Sequence, residues 1–510
     1  MSDAQVIAIA NGAAAPRASL PRLSLESFRQ LVIGAPRRGR RISALFGGRG
    51  SGESTELIVV LAADGDGMLE LAATELDSGA FPSMTPECPE VHLFEREIAE
   101  QWNVRPEGHP WLKPVRFTQP LRPGTGIWRT ETGEAPVIGV TDFYRVEGEE
   151  VHEVAVGPVH AGVIEPGHFR FQCHGEEVFH LEISLGYQHR GVERALIGGP
   201  DRRTIHYFET LAGDTTIGHA TAFCQAIESL TSGRPPARSL ALRAIALELE
   251  RLANHTGGLG ALAGDVGFLP TASFCGRLRG EYLNLTAALC GSRFGRGLVR
   301  PGGTRFDVEP QRLDDILARL EAARRDTEDA VKLLWDTASV QARFEETGPV
   351  DKEVARQLGL VGVAARACGL RRDVRKTHPT GLYRFVHLPI STWVTGDVFA
   401  RAYVRWLEIQ RSTEFILTQL RHLPAGPVQN PLPTYDLRPD HIAVSLVEGW
   451  RGEICHAAVT DNRGRFAAYK IVDPSFHNWS GLAMALRNQQ ISDFPLCNKS
   501  FDLSYCGVDL

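Results

Sequence analysis

Five stretches between Arg203 and Leu420 carry apolar residues at helical spacing: Arg203 to Leu230, Ala237 to His255, Phe274 to Ser292, Glu309 to Thr337 and Thr395 to Leu420. Apolar side chains recurring at i, i+3, i+4 and i+7 line one side of a helix, and each such stripe has to be buried against another. A chain with this many long stripes must form, over that span, a mainly helical packed body. The region just before it reads differently. Val151 to Val156 and His168 to Ile183 have the pattern of hairpin strands, with His174-Gly175-Glu176 as a turn.

Further upstream, Ser24 is placed to cap a short amphipathic helix carrying Leu25, Phe28 and Leu31. Glu56 to Ala62 and Met68 to Ala73 read as strands, and Phe94 to Val104 as a helix. Pro106, Pro110, Pro114, Pro120 and Pro123 then interrupt regular structure. The expected fold class is therefore α+β. Residues 1–20, rich in Ala, Ser, Asn and Gly, are expected to be a mobile tail. Residues 21–120 form a small α+β domain, 121–150 a linker, and 151–510 a mainly α-helical domain opening with a β region.

Length and composition narrow the function. The 510 residues, 43% apolar, can bury more than one core. A balance of 55 basic and 61 acidic residues, net −6, argues against a nucleic-acid partner held by phosphate electrostatics. No apolar run approaches the roughly 20 residues that cross a bilayer, the longest strong stretch being of the kind seen at Leu57 to Ala63. The N-terminus lacks a basic segment leading into an apolar core, so no secretory signal is expected and a cytoplasmic site follows. The nine cysteines form no Cys-x-x-Cys pair, which excludes the usual zinc-knuckle and iron–sulfur spacings; they are expected to be reduced and buried. Gly47 to Gly52 lacks the Gly-Lys-Ser/Thr ending of a phosphate loop and reads as a hairpin loop, and Gly257-Gly258-Leu259-Gly260 reads as a helix end.

Several motifs carry a resemblance. Glu95-Arg96-Glu97-Ile98, followed by Gly108-His109-Pro110-Trp111-Leu112, resembles the signature of the C-type subunit of bacterial NADH:quinone oxidoreductase, in which a charged helix end leads into an arm that can lie on a neighbouring subunit. From Val151 to Leu510 the chain resembles the D-type subunit of the same complex I and, more closely, the large subunits of membrane-bound, energy-converting, formate-hydrogenlyase-type nickel-iron hydrogenases. The segments that carry this are Gly157-Pro158-Val159-His160, Glu165 to Arg170, Tyr187 to Glu193, Glu250-Arg251 with Asn254-His255, Arg300 to Gly303, Gly396-Asp397-Val398 and Arg451-Gly452-Glu453, in that order. Fusion of the two units is the arrangement of formate-hydrogenlyase-type large subunits.

The resemblance makes two places decisive. A nickel-iron hydrogenase holds its metals with two Cys-x-x-Cys pairs, because soft thiolates bind them. Counting back from His219 puts Ala212 and Thr215 at the first pair, and near Leu510 the second pair falls on Ser504 and Gly507. A methyl group, two hydroxyls and a glycine replace four thiolates, so no metal is expected here and hydrogenase activity is not expected. Cys455, Cys497 and Cys506 with His456 are the residues that could form a replacement metal site. In complex I a histidine, a tyrosine and an aspartate serve the quinone headgroup; the match puts Ile164 and Gly213 at the first two and keeps only Asp265, with His160 as a nearby substitute.

Glu209 matches the glutamate that passes protons in hydrogenases, and burial would raise its pKa toward neutrality. Glu209, His160 and Asp265 are thus the candidate proton-relay or quinone-pocket residues. Asp397 with Arg401, and Glu453 with Arg451, are expected to be structural pairs around the pocket. The function implied is that of a core subunit of a membrane-associated, complex I-related oxidoreductase, coupling electron transfer to ion translocation without its own nickel-iron site. Its expected partners are an iron–sulfur small subunit with a 4Fe–4S cluster and antiporter-like and other membrane-arm subunits, and its expected place is peripheral, on the cytoplasmic face of the inner membrane. A quinone-reducing subunit with a rebuilt headgroup site, a hydrogenase with unusual ligands and a structural scaffold are the alternatives.

Overall fold

The computed structural model describes residues 6–122, 126–128, 136–430, 432 and 435–510. Its first unit is built on an antiparallel sheet in the order Ile7–Ala10, Met68–Leu76, Thr55–Ala63, Arg40–Arg49, with Arg22–Leu23 added parallel to Met68–Leu76. Thr55–Ala63 is buried at every residue, so it reads as a continuous apolar run and not as an alternation. The helix His92–Trp102 packs on Arg40–Arg49. That approach depends on Gly47, where a Cβ would stand 2.3 Å from the Trp102 ring. Ser24 caps the helix Leu25–Gly34 as expected, accepting the Ser27 N–H at 3.2 Å.

The first twenty residues are not a mobile tail where they are described; residues 1–5 lie outside the described residues. Ile7–Ala10 pairs with Met68–Leu76, and Ala13–Pro16 crosses to the second unit to pair with His441–Glu448. Between them Asn11 is buried, donating to His378 O (2.8 Å) and Leu446 O (2.9 Å) and accepting the Leu446 N–H (2.7 Å). Backbone pairing, which small residues provide as well as large ones, orders a segment whose composition looked like a tail.

The proline-rich arm lies on the chain's own second unit. Lys113 Nζ pairs with Glu182 at 2.6 Å, Arg116 Nε donates to Val508 O at 2.6 Å, and Arg194 Nη2 donates to Gln119 O at 2.6 Å. Of the expected linker, 123–125 and 129–135 lie outside the described residues.

The second unit opens with the expected hairpins, Val151–Val156, His168–His174 and Glu177–Ser184, in one antiparallel sheet. Its helical body comprises Ala237–Asp265, Leu269–Cys290, Pro310–Trp335 and Val398–Arg421. The expected Arg203 to Leu230 helix is broken into Thr204–Glu209 and Thr216–Thr231, and the break, Thr210 to Thr215, holds Ala212 and Thr215. Gly257 to Gly260 lie inside a helix and not at its end: a Cβ at Gly260 would sit 2.7 Å from Cys275 Cβ, so the glycine lets Leu269–Cys290 approach closely. A second sheet, Phe466–Val472, Glu453–Thr460, His441–Glu448 and Ala13–Pro16, was not anticipated; its strands are buried nearly throughout and lack the alternation that marks a half-exposed strand.

Buried charges tie these layers together. Arg366 pairs with Glu408 and Glu448, both at 2.6 Å, and Arg375 with Glu248 at 3.0 Å. Arg251 pairs with Glu408 at 3.1 Å and donates to the carbonyls of Glu448 (2.7 Å) and Gly449 (3.1 Å). These last bonds fix the turn that presents Trp450 and Arg451. Among the described residues, no helix is long and apolar enough to cross a membrane.

Candidate functional site at the two vacated turns

The four predicted positions fall on two turns, one around Ala212–Thr215 and one around Ser504–Gly507, which two arginines join. Arg451 donates Nη1 to Asp214 Oδ1 (2.7 Å) and Nη2 to Asp214 Oδ2 (2.9 Å), and its Nε donates to Asp502 O (2.6 Å). Its guanidinium lies 3.9 Å above the Trp450 ring, and Trp450 Nε1 donates to Asp214 O at 3.0 Å. Arg190 makes a second link, donating to Thr210 O and Leu211 O (both 2.8 Å) and to Cys506 O (3.1 Å).

Three of the four residues already have a use in the protein. Thr215 Oγ1 accepts from Arg451 Nη1 (3.2 Å), and Ser504 Oγ accepts the Gly507 N–H (2.9 Å). A Cβ at Gly507 would stand 2.7 Å from the Asp473 carboxyl. The donor set therefore does not fit a nickel-iron centre: it has no thiolate, and at one of the four places it lacks room for a side chain. Cys455, Cys497 and Cys506 do not come together as a substitute; among the described residues no three His, Cys, Asp or Glu side chains converge to hold a metal.

The sequence candidates are not joined to one another by any described hydrogen bond or ion pair. Glu209 ends its helix bound to Arg300 (2.6 Å), the Gly297 N–H (2.7 Å) and His206 (2.8 Å). Burial pushes its carboxyl up, but Arg300 and these hydrogen bonds outweigh it and hold the carboxyl below its ordinary range, so Glu209 is an ionised structural partner and not a desolvated acid. His160 Nε2 hydrogen-bonds Gly167 O at 2.9 Å, in a loop packed beside Tyr505. Asp265 stands at the exposed end of the Ala237–Asp265 helix, where the surrounding protein and the Asp502 charge outweigh Lys499 and push it up to about 6. The two expected structural pairs are absent. Asp397 caps Val398–Arg421 through the Ala400 N–H (2.8 Å) while Arg401 turns to Gly396 O (2.6 Å), and Glu453 binds Arg41 (2.7 Å) and Ser43 (2.7 Å) of the first unit.

Three further groups surround the turns. Glu250 accepts the Ile217 N–H (2.7 Å) and Gly218 N–H (3.2 Å) at the start of Thr216–Thr231; burial, aided by the Asp214 charge, outweighs these bonds and pushes it up to about 8. Asp509 accepts from Gly186 N (2.7 Å) and Gln188 N (3.0 Å), and burial pushes it up to about 6. A fully buried series leads away from Gly507: Asp473 to His219 (3.1 Å), His219 to His456 (3.1 Å) and His456 to the Tyr469 hydroxyl (3.0 Å). Glu250 lies in the Glu250-Arg251 motif and His219 and His456 were singled out in the sequence, whereas Asp473, Tyr469 and Asp509 had no sequence signal.

Comparison with known proteins agrees with this architecture. Residues 265–443 match the family described as the respiratory-chain NADH dehydrogenase 49 kDa subunit. The chain is 30% identical over 353 residues to the carbon monoxide-induced hydrogenase of Rhodospirillum rubrum, covering 69% of this chain and 97% of that one. It is 28% identical over 438 residues to formate hydrogenlyase subunit 5 of Escherichia coli, covering 84% and 77%. It is also 28% identical over 385 residues to NADH-quinone oxidoreductase subunit 4 of Thermus thermophilus, covering 71% and 94%. A chain of the archaeal membrane-bound sulfane sulfur reductase, a respiratory membrane complex, shares the fold with a TM-score of 0.67 at 24% identity, over 72% of this chain and all of that one. This chain belongs to the large-subunit family shared by membrane-bound hydrogenases and the 49 kDa-type subunits of complex I.

Proposed function

We propose that the chain is a core subunit of a membrane-associated, complex I-related oxidoreductase in which a protein-only charge cluster stands where its hydrogenase relatives place a metal centre. The observation that carries this reading is the Arg451–Asp214 clamp across the two turns. It fixes an ion pair between turns in which none of the four matched positions is a cysteine. Glu250, Asp265 and Asp509 are the groups poised to answer a change of charge there. A negative charge arriving on a neighbouring redox centre raises the pKa of nearby carboxyls and draws protons onto them. That linkage is the coupling assigned to this subunit. In the same reading the chain sits peripherally on the cytoplasmic face of the membrane. An iron–sulfur small subunit with a 4Fe–4S cluster and antiporter-like membrane-arm subunits are its neighbours.

Affinity purification from native membranes, followed by elemental analysis and assays with hydrogen, tests the proposal. The expected result is co-purification with a small iron–sulfur protein and membrane subunits, iron attributable to that partner, essentially no nickel and no hydrogen-dependent dye reduction. Recovery as an independently active monomer, or one nickel per chain with hydrogen oxidation, overturns it.

A further inference from the structure

Where the helix His92–Trp102 and the arm around Trp111 face the strand Glu177–Ser184 and the helix Pro474–Ala485, the two units leave a cavity of about 310 Å³. That is the size of a small-molecule pocket. Its walls are largely apolar, with Leu93, Leu181, Trp479 and Met484 among them, and it reaches Val508 beside the Ser504–Gly507 turn.

Arg96, Trp111 and His180 line this cavity. Arg96 lines it with its side chain buried, at 7% exposure, and forms no ion pair among the described residues. Its Nε and Nη2 donate to Lys113 O (2.8 Å) and Pro114 O (2.9 Å), which are neutral acceptors and leave its charge uncancelled. Burial pulls the guanidinium down to about 10, with Glu100 and Glu182 opposing, so it stays charged at neutral pH. The Arg96 guanidinium stands 5.1 Å from the Trp111 ring, and both Trp111 Nε1 and His180 Nε2 are buried with no hydrogen-bond partner. His92 and His109, also in the wall, are pushed by burial down to about 3 and about 4, and add no charge at neutral pH. A buried cation whose direct hydrogen-bond partners are neutral carbonyls is costly to hold, and an anionic oxygen beside it would offset that cost.

We propose that this cavity binds a small amphiphilic carboxylate, its carboxylate paired with Arg96, its hydrocarbon part against Leu181, Trp479 and Met484. One buried cation favours a monoanion over a phosphate dianion, and the apolar walls favour a hydrocarbon body over a hydrophilic one.

The test uses the full chain in its purified complex and three probes: decanoate, decanol and inorganic phosphate. Binding is followed by tryptophan fluorescence, since Trp111 and Trp479 line the cavity, and by thermal shift. Decanoate is expected to bind saturably at one site per chain, at least tenfold more tightly than decanol, with no response to phosphate. Arg96→Gln should abolish the preference for decanoate over decanol. Because Arg96 also holds the arm, Ala483→Leu, which fills the cavity and leaves Arg96 in place, provides the second variant; it should weaken decanoate binding at least tenfold with the complex still assembled. Equal binding of decanol and decanoate, saturable binding of phosphate, no saturable decanoate binding, or binding unchanged in Ala483→Leu overturns the proposal.

Discussion

Arg451 grips Asp214 with two parallel hydrogen bonds, Nη1 to Oδ1 at 2.7 Å and Nη2 to Oδ2 at 2.9 Å, and the two residues lie 237 positions apart in the sequence. Such a fork-on-fork pair fixes geometry as well as charge. Here it joins the helix break at Thr210 to Thr215 to the turn that follows Asp502. Arg451→Met should leave Asp214 without its partner at a cost of about 3 kcal/mol, the low end for a broken buried pair, because the Asp214 side chain keeps 32% of its surface in solvent. Adding Asp214→Asn should recover part of that loss. A double-mutant cycle by chemical denaturation measures the coupling, and strictly additive losses would show that the clamp has none.

Gly507 and Asp473 set a second constraint. With a Cβ at 2.7 Å from the Asp473 carboxyl, Gly507→Ala forces that side chain to move and should cost about 1–3 kcal/mol. Asp473 also caps Pro474–Ala485, accepting the Ser475 N–H at 2.8 Å. Asp473→Ser keeps a capping oxygen on a shorter side chain but gives up the acceptor of His219 Nε2, so the pair Gly507→Ala/Asp473→Ser should lose less stability than the sum of the two single variants. If the single variant melts like the wild type, the contact is not tight. The same crowding predicts that cysteines placed at Ala212, Thr215, Ser504 and Gly507 together will not create a metal site.

What could be read in the sequence followed from periodicity and motif; what could not depended on partners distant along the chain. The long helices were legible because each buries one stripe, and the break at Thr210 to Thr215 was signalled only by the position of the vacated pair. Ala13–Pro16 gave no signal, since a strand of small residues is held by the His441–Glu448 backbone more than four hundred residues away. Counting from His219 picked out Ala212 and Thr215, yet the groups that surround them were not legible. Nothing local in Arg451-Gly452-Glu453 reveals that Arg451 turns to Asp214 and Glu453 to Arg41. Glu209 illustrates the same limit: burial alone pointed to a raised pKa, and Arg300, 91 residues on, reverses the sign.

Glu209 and Asp265 should therefore separate when each loses its charge. Glu209→Gln removes the partner of Arg300 and should weaken assembly, with a melting temperature several degrees lower. The Glu209 contribution is present above the ordinary carboxyl pKa and is lost as pH falls through the lowered one. Asp265→Asn, at an exposed helix end, should leave assembly intact and alter proton-linked activity near pH 6. Normal assembly in Glu209→Gln, or failed assembly in Asp265→Asn, would reverse the two roles.

Glu250 yields a prediction in pH. Its carboxyl is pushed up to about 8 in the folded chain, so the folded state prefers it protonated. The associated stability is complete below the ordinary carboxyl pKa and declines as pH rises toward 8, with a slope of at most about 1.4 kcal/mol per pH unit. Glu250→Gln cannot ionise, so the difference in stability between wild type and variant should shift in the variant's favour from pH 5 to pH 8. A difference that is flat over that range would show that Glu250 is ionised throughout.

The buried series at Asp473 gives the final prediction, on proton positions. Burial pushes the Asp473 carboxyl up, but the His219 hydrogen bond and the Arg451 charge hold it below its ordinary range, so it is an acceptor and His219 Nε2 donates to it. Burial pushes His456 well below its ordinary value, so it carries one ring proton. Burial drives Tyr469 well above its ordinary value, so its hydroxyl keeps its proton. With Tyr469 O–H donating to His456 Nδ1, the His456 proton sits on Nε2 and donates to His219 Nδ1, and the whole series points one way, toward the carboxylate. Nitrogen NMR on histidine-labelled complex should find His456 protonated at Nε2. Tyr469→Phe then leaves His456 Nδ1 as a buried acceptor with no donor, at a cost of about 1–3 kcal/mol by denaturation, without changing that tautomer. Protonation at Nδ1 in the wild type would mean that the series runs the other way, with His456 donating to the tyrosine oxygen.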